Sequence, residues 1–173
     1  MSARIFQISI SQGGVPKLPV RQARVTDNGL EGDTQTHRKF HGGPQRAVCL
    51  YSLERIQALQ AEGHPVFPGA TGENLTISGL DWGGVVPGTR LRLGEDVVLE
   101  ILSFTEPCAA IRACFLGGDL KRMQQDANPG WSRVYARVVT PGSITVGQPV
   151  ALEPTAGGTG PECGLYSRPK EAP

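Results

Sequence analysis

The sequence predicts a mostly β fold, a strand-rich barrel with two or three short helices. Glycine (23 residues) and proline (14 residues) are abundant in a chain of 173 residues, which indicates many turns and short elements. Short apolar stretches recur between these turns, and several of them alternate with polar residues, as strands do. Some of these stretches come in pairs separated by a glycine turn, which is typical of β-hairpins.

The length and the charge of the chain limit its possible functions before any motif is considered. A chain of 173 residues fits one domain, which we expect to span residues 1–153, followed by a disordered Gly-, Pro- and Thr-rich tail, 154–173. The net charge of +1 and the lack of a polybasic run argue against nucleic-acid and membrane partners. Residues 1–10 do not resemble a signal peptide, and no apolar run reaches the roughly 18 residues of a membrane span. We therefore expect a cytoplasmic protein.

The first part of the chain is predicted to form short strands joined by loops. Residues 3–10 and 20–25 are the first two predicted strands, and Asn28-Gly29 is a tight-turn dipeptide. Residues 30–43 are polar and without a regular pattern, and they contain more glycine, histidine and charged residues than a simple connecting loop needs. Residues 46–51 then form a short apolar stretch, which predicts a buried strand.

One segment has a clear helical pattern. Ser52 is a good N-cap residue, and Leu53, Ile56 and Leu59 recur on one helical face. Gly63 is typical of a helix C-terminus. The sequence therefore predicts a helix between Ser52 and Gly63.

The second half of the chain is predicted to contain hairpins, strands and short helices. Pro-Gly and Gly turns with alternating apolar residues predict two hairpins, and two apolar-polar stretches look helical. The predicted elements are a strand at 74–78, hairpins at 87–104 and 141–152, helices at 107–115 and 119–127, and a strand at 131–140.

Cys108 is the strongest candidate for chemistry, because it follows an apolar strand and precedes a helical pattern. If Thr105 is the N-cap, Cys108 lies in the first helical turn, where free N–H groups and the helix dipole favour the thiolate. An α-helix would place Arg112, four residues on, on the same face. Such a thiolate can be a nucleophile, a redox centre or a soft metal ligand. The alternative is a small buried residue that packs as a hydrophobe.

The loop at 29–46 is a second candidate site. The adjacent Gly42 and Gly43 can expose backbone N–H groups to a ligand, and Arg46 supplies positive charge nearby. This predicts a cradle for an anion or heterocycle, with a tight turn on the rim of the barrel as the alternative. His37 and His41 have the spacing of a helical zinc pair, but the two glycines argue against a helix there.

Asn74 and the remaining cysteines give weaker signals. The Asn74 amide could bind the edge of a pterin or purine, or it could satisfy backbone groups of its own turn. Cys49 and Cys114 lie in apolar stretches and are predicted to pack in the core. Together with Cys163 in the tail they form no C-x-x-C pair, so we expect free thiols rather than disulfides or structural zinc.

Taken together, these blocks resemble a known family. The segments Gly29-Leu-Glu-Gly-Asp33, His41-Gly-Gly-Pro-Gln-Arg-Ala-Val48, Gly72-Glu-Asn-Leu75 and Glu106-Pro-Cys108 occur in this order. They are similar to those of the MOSC family (molybdenum cofactor sulfurase C-terminal domain), in particular its small stand-alone bacterial members. The resemblance extends from about residue 5 to residue 152.

The resemblance implies a MOSC-type β-barrel with a site for the molybdenum cofactor, molybdopterin. In the family, the cysteine that matches Cys108 is thought to ligate the metal or carry sulfur. Asn74, the His41-Gly42-Gly43 turn and Arg112 are implied cofactor contacts. Related domains reduce N-hydroxylated compounds such as amidoximes and hydroxylaminopurines, with electrons from partner proteins.

Three hypotheses follow for the function. The first is a molybdenum-dependent oxidoreductase that acts on a small N-hydroxylated substrate and draws electrons from a donor protein. The second is a carrier that delivers the cofactor, or persulfide sulfur, to another enzyme. The third is a barrel that binds a non-metal ligand or another protein, with Cys108 buried and unreactive.

Overall fold

A computed structural model confirms the mostly β class and describes residues 2–34 and 43–154. The predicted tail, apart from Pro154, lies outside the described residues. The strands are β1 (Arg4–Ile10), β2 (Leu18–Val20), β3 (Gln22–Thr26), β4 (Gly29–Leu30), β5 (Val48–Ser52), β6 (Leu75–Ser78), β7 (Arg90–Leu93), β8 (Val97–Phe104), β9 (Val134–Thr140), β10 (Gly142–Thr145) and β11 (Val150–Glu153). The helices are α1 (Leu53–Ala61) and short 3-10 helices at Pro44–Arg46, Trp82–Gly84, Ala109–Cys114, Leu116–Gly118 and Leu120–Met123.

The strands form two sheets. The larger one has eight strands in the order β11-β7-β8-β9-β5-β6-β1-β2, and the smaller has three in the order β10-β3-β4. Neighbouring strands are antiparallel except β5 and β6, which are parallel. A parallel pair cannot be joined by a tight turn, and here α1 and the loop after it form the crossover. The large sheet is therefore mixed.

The barrel predicted from the sequence is not confirmed, because neither sheet closes on itself within the described residues. The segment before β11 nevertheless contacts β1. Ile5 N donates to Gln148 O at 2.9 Å, Val150 N donates to Ala3 O at 2.9 Å, and Arg4 and Pro149 form an isolated antiparallel bridge. These bonds link the β11 edge of the large sheet to β1, which lies next to the opposite edge, and the strands between them surround an apolar core.

Helix α1 confirms the helix predicted after Ser52. The Ser52 side chain accepts a hydrogen bond from the backbone N–H of Arg55, as an N-cap does. Ile56 and Leu59 are fully buried, and Gly63 follows the helix with a φ of +92°. That left-handed conformation is favourable for glycine and ends the helix. The helix packs its apolar face on the core and leaves the polar face in solvent.

Several other elements differ from the sequence-based predictions. The strand predicted at 20–25 is divided between β2 and β3, and the turn before β4 lies at Asp27 and Asn28, one residue earlier than predicted. The hairpin predicted at 141–152 is wrong: β10 pairs with β3 and β11 pairs with β7. A turn does form, with Gln148 N donating to Thr145 O, but Gly147 and Gln148 also bond to Ile5 of β1, and the two strands lie in different sheets.

The two helices predicted at 107–115 and 119–127 are 3-10 helices rather than α-helices. Gly117 and Gly118, which lie between the two predicted helices, have positive φ values (+62° and +69°) and so interrupt the helical conformation. Among the described residues, no helix has the length and apolar character that crossing a membrane requires.

Candidate functional site

A pocket lies where β5 and β9 meet the loop before β2, the turn before β6 and the segment after β8. We call it the thiol pocket, and its cavity volume is about 140 Å³. The described residues that line it are Gly14, Val15, Lys17, Thr34, Cys49, Thr71, Gly72, Asn74, Cys108, Ala110, Ile111, Arg133 and Tyr135. The residues after Thr34, numbers 35–42, lie outside the described residues.

Cys108 lies in the wall of the thiol pocket and is partly exposed. It has extended backbone angles (φ −109°, ψ 167°) and is itself the N-cap of the 3-10 helix Ala109–Cys114. Thr105, the predicted N-cap, is instead buried, and its N–H donates to Arg133 O at 2.9 Å. The helix therefore begins three residues later than predicted, and Cys108 lies at its N-terminus in the pocket wall.

Arg112 does not share the face of Cys108. A 3-10 helix has three residues per turn, so the residue above Cys108 is Ile111, which lines the thiol pocket. Arg112 is exposed and is not among the described residues that line the pocket. The shared helical face predicted for Cys108 and Arg112 is therefore wrong, and a cofactor contact from Arg112 stays a prediction.

Asn74 lines the thiol pocket, but its amide protons are already used. Its Nδ2 donates to Ser9 O at 3.2 Å and to Asp33 Oδ2 at 2.9 Å, while its Oδ1 accepts from Cys49 N at 3.1 Å. Asp33 also forms a buried ion pair with Lys17, with 2.5 Å between Nζ and Oδ1. Asn74 thus ties three segments together and fixes the backbone at Cys49, and its contact with a cofactor stays a prediction.

Cys49 and Arg133 also line the thiol pocket, although the sequence does not single them out. Cys49 was predicted to pack in the core, and it is buried, but it also lines the thiol pocket. Burial raises the pKa of Cys49 to about 11, although the Arg133 guanidinium opposes this shift. Arg133 is 6% exposed, and its Nη1 donates to Thr71 O. No local sequence signal distinguishes Arg133 from the exposed Arg137 on the same strand-forming segment.

The predicted cradle at 41–46 is described only in part. His41 and Gly42 lie outside the described residues. Gly43 is exposed, has a φ of +87° and precedes the 3-10 helix Pro44–Arg46. The Arg46 guanidinium lies 5.6 Å from the ring centroid of Tyr135, a residue of the thiol pocket. Burial raises the pKa of Tyr135 to about 12, so this phenol is neutral at physiological pH.

The two pocket thiols are expected to react very differently with an alkylating reagent. Thiolate is the reactive form, and a pKa of about 11 leaves roughly one Cys49 in a thousand ionised at about pH 8. Cys108 is partly exposed, so timed alkylation of the native protein, read by peptide mass spectrometry, should label Cys108 first. Labelling of Cys49 should increase as the pH rises toward 11. Equal rates for the two thiols at about pH 8 would contradict this prediction.

Comparison with known proteins agrees with the family resemblance. The family model "MOSC domain" matches residues 37–151. Protein YiiM of Escherichia coli (strain K12) is 32% identical over 133 residues, which cover 74% of this chain and 58% of YiiM. A protein named "Reductase" from Gibberella moniliformis is 32% identical over 117 residues, which cover 65% of this chain and 20% of that protein. This chain thus spans less than two thirds of the length of either relative.

The fold comparison gives the same result. The crystal structure of YiiM from Escherichia coli superimposes with a TM-score of 0.63 and 26% sequence identity, over 88% of this chain and 69% of that chain. Because the family model matches well over half of the sequence and includes Cys108, the chain belongs to the MOSC domain family.

Proposed function

We propose that this protein binds a molybdenum cofactor, molybdopterin, through Cys108. We further propose that it reduces N-hydroxylated compounds of the hydroxylaminopurine or amidoxime type with electrons from a partner protein. The observation that carries the proposal is the position of Cys108, a partly exposed thiol in the wall of a pocket within a MOSC domain. A soft thiolate is the kind of protein ligand that such a metal prefers. The name "Reductase" of one relative supports the reaction class.

The described residues fit this group. Beside Cys108 the thiol pocket offers the buried guanidinium of Arg133, whose Nε has no hydrogen-bond partner among the described residues. The cavity of about 140 Å³ is smaller than the several hundred Å³ that enclose a whole drug-sized ligand. It therefore suits the reactive end of the cofactor, with the remainder extending beyond the described lining.

The protein's own residues would bind, orient and shield this end of the cofactor. Cys108 would ligate the metal, and Arg133 would offset negative charge brought into a buried site. Val15, Ala110 and Ile111 give the pocket apolar walls that exclude water. The bound group supplies the redox chemistry, while the chain supplies orientation and electrostatics.

Molybdenum and pterin content of the purified protein tests the proposal. Native protein from a cofactor-replete cell should carry both, and Cys108→Ala should carry neither, because the thiol ligand is lost. Cys114→Ala is the matched control, since Cys114 lies outside the described pocket lining, with Sγ 3.5 Å from Ala70 O. Reduction of a hydroxylaminopurine by the reductant-supplied protein should also disappear in Cys108→Ser. Undiminished turnover in that variant would contradict the role of Cys108.

The same experiment distinguishes the carrier function. Cofactor bound to Cys108 without turnover, but with transfer to an acceptor enzyme, would favour a cofactor carrier. A sulfur label on Cys108 would favour a persulfide carrier, and its absence would exclude that form. Absence of metal and pterin from both native protein and Cys108→Ala would contradict cofactor binding through this residue.

A further inference from the structure

Cys49 is a second thiol in the thiol pocket, and the proposed function does not use it. Cys49 is carried by β5, whereas Cys108 follows β8, and the fold brings both to one cavity. With a volume of about 140 Å³, this cavity is small, so the two thiols border the same confined space. The third described cysteine, Cys114, lies outside the pocket lining.

Burial disfavours the Cys49 thiolate, but one feature of the pocket can offset a negative charge on its sulfur atom. Arg133 lines the same pocket as Cys49, and its guanidinium opposes the effect of burial on the pKa of the Cys49 thiol. Arg133 Nε is also the one buried side-chain nitrogen or oxygen in the described part of the chain that has no hydrogen-bond partner. A neutral thiol is a weak acceptor, whereas charge-assisted hydrogen bonds to an ionised group are strong. A thiolate at Cys49 would therefore face a guanidinium whose Nε lacks an acceptor.

We infer that Cys49 and Cys108 together form a two-thiolate site for a soft monovalent cation, Cu(I). Thiolates select Cu(I) among the first-row metals because both are soft. Within residues 2–34 and 43–154 there is no group of three or more His, Cys, Asp or Glu side chains that could hold a metal. A tetrahedral zinc site needs four ligands, more than these described residues supply together, whereas two thiolates suffice for Cu(I).

Charge also favours a monovalent cation. Binding replaces the two thiol protons with one Cu(I), so two protons are released and no electron is transferred. The resulting copper dithiolate carries a net charge of −1, which the buried Arg133 guanidinium offsets. The inference does not depend on the proposed function, because it concerns the protein free of molybdenum. It has a consequence for that function, however: Cu(I) bound to Cys108 would occupy the thiol that the cofactor needs.

Anaerobic titration of the full, metal-free chain with Cu(I), in competition with the chromophoric chelator bicinchoninate, tests the site. We expect one Cu(I) per chain and the loss of two titratable thiols. Cys49→Ser and Cys108→Ser should each lower the affinity by at least about 100-fold, because loss of a hydrogen-bond partner of a ligand alone lowers metal affinity by about 10- to 100-fold. Cys114→Ser is the matched control, because Cys114 lies outside the described pocket lining, and it should bind like the native chain. Arg133→Lys keeps the charge and should bind more tightly than Arg133→Met.

Cu(I) affinity that is unchanged in Cys49→Ser, or that falls equally in Cys114→Ser, would overturn the inference. X-ray absorption of the copper-loaded native chain gives a second measurement that requires no variant to fold. Two sulfur donors support the site, and one sulfur donor overturns it. Molybdenum content of Cys49→Ser separates the two proposals, since this variant should lose Cu(I) and retain molybdenum through Cys108.

Discussion

Replacing Asp33 with alanine is expected to lower the free energy of unfolding by about 3–5 kcal/mol, the usual effect of leaving a buried ion without its partner. Lys17 and Asp33 are 8% and 4% exposed, so solvent does little to screen the pair. The substitution would leave the Lys17 ammonium buried and would also remove an acceptor from Asn74 Nδ2. Urea unfolding followed by tryptophan fluorescence measures the change.

Glu31→Ala is the matched control for Asp33→Ala. Glu31 lies on the same loop and faces Arg24 at 3.8 Å, but these two side chains are 61% and 70% exposed. Exposed pairs contribute about 0–1 kcal/mol, so this variant should be nearly as stable as the native chain. The double variant Lys17→Ala/Asp33→Ala should lose less stability than the sum of the single losses. Equal losses for Asp33→Ala and Glu31→Ala would show that the buried pair is unimportant.

Gly69→Ala is expected to be the second strongly destabilising change, by about 3–4 kcal/mol, from a strained backbone combined with overpacking. Gly69 has a φ of +89°, and an added Cβ would lie 2.4 Å from the backbone oxygen of Lys17. Its N–H also donates to the buried carboxylate of Glu73 at 2.7 Å. The turn cannot move without disturbing either that bond or the one in which Lys17 N donates to Gly69 O at 2.9 Å, directly before β2.

Gly88→Ala separates the two causes. Gly88 has a φ of +93°, close to that of Gly69, but a Cβ there would have no atom within 4 Å. Only the left-handed backbone is then penalised, at about 1–2 kcal/mol. Thermal and urea unfolding of both variants should show the larger loss for Gly69→Ala. A loss for Gly88→Ala that matches the loss for Gly69→Ala would mean that backbone conformation alone decides the effect.

The parts of the fold that local patterns control were predictable from the sequence. Helix α1 has its cap, its apolar face and its terminating glycine within twelve residues, and it forms where they predict. The hairpin of β7 and β8 likewise depends on a nearby turn. Pairing between distant strands was not predictable: β10 and β11 satisfy the local hairpin pattern but bond to β3 and β7.

In the thiol pocket, the partly exposed Cys108 stands out from the sequence, whereas its buried neighbours do not. Cys108 stands out in the sequence because it follows Pro107 directly after an apolar strand. The structure places it in the wall of the pocket. Cys49 is flanked by apolar residues, as packing cysteines are, and only the fold shows that it borders a cavity. Arg133 and Lys17 resemble surface cations in the sequence, because burial of a charge depends on partners far away in the chain.

The position of β1 has a consequence for the rate of folding. This strand bonds to β6 on one side, and residue Ile5 also bonds to Gln148, close to β11. Contacts between residues so far apart in sequence require large loops to close before they stabilise the chain, which slows folding. Mostly β domains with such a high contact order fold in about milliseconds to seconds. During synthesis, β1 therefore emerges long before Gln148, and until then its first residues lack this partner and are exposed to chaperones or aggregation.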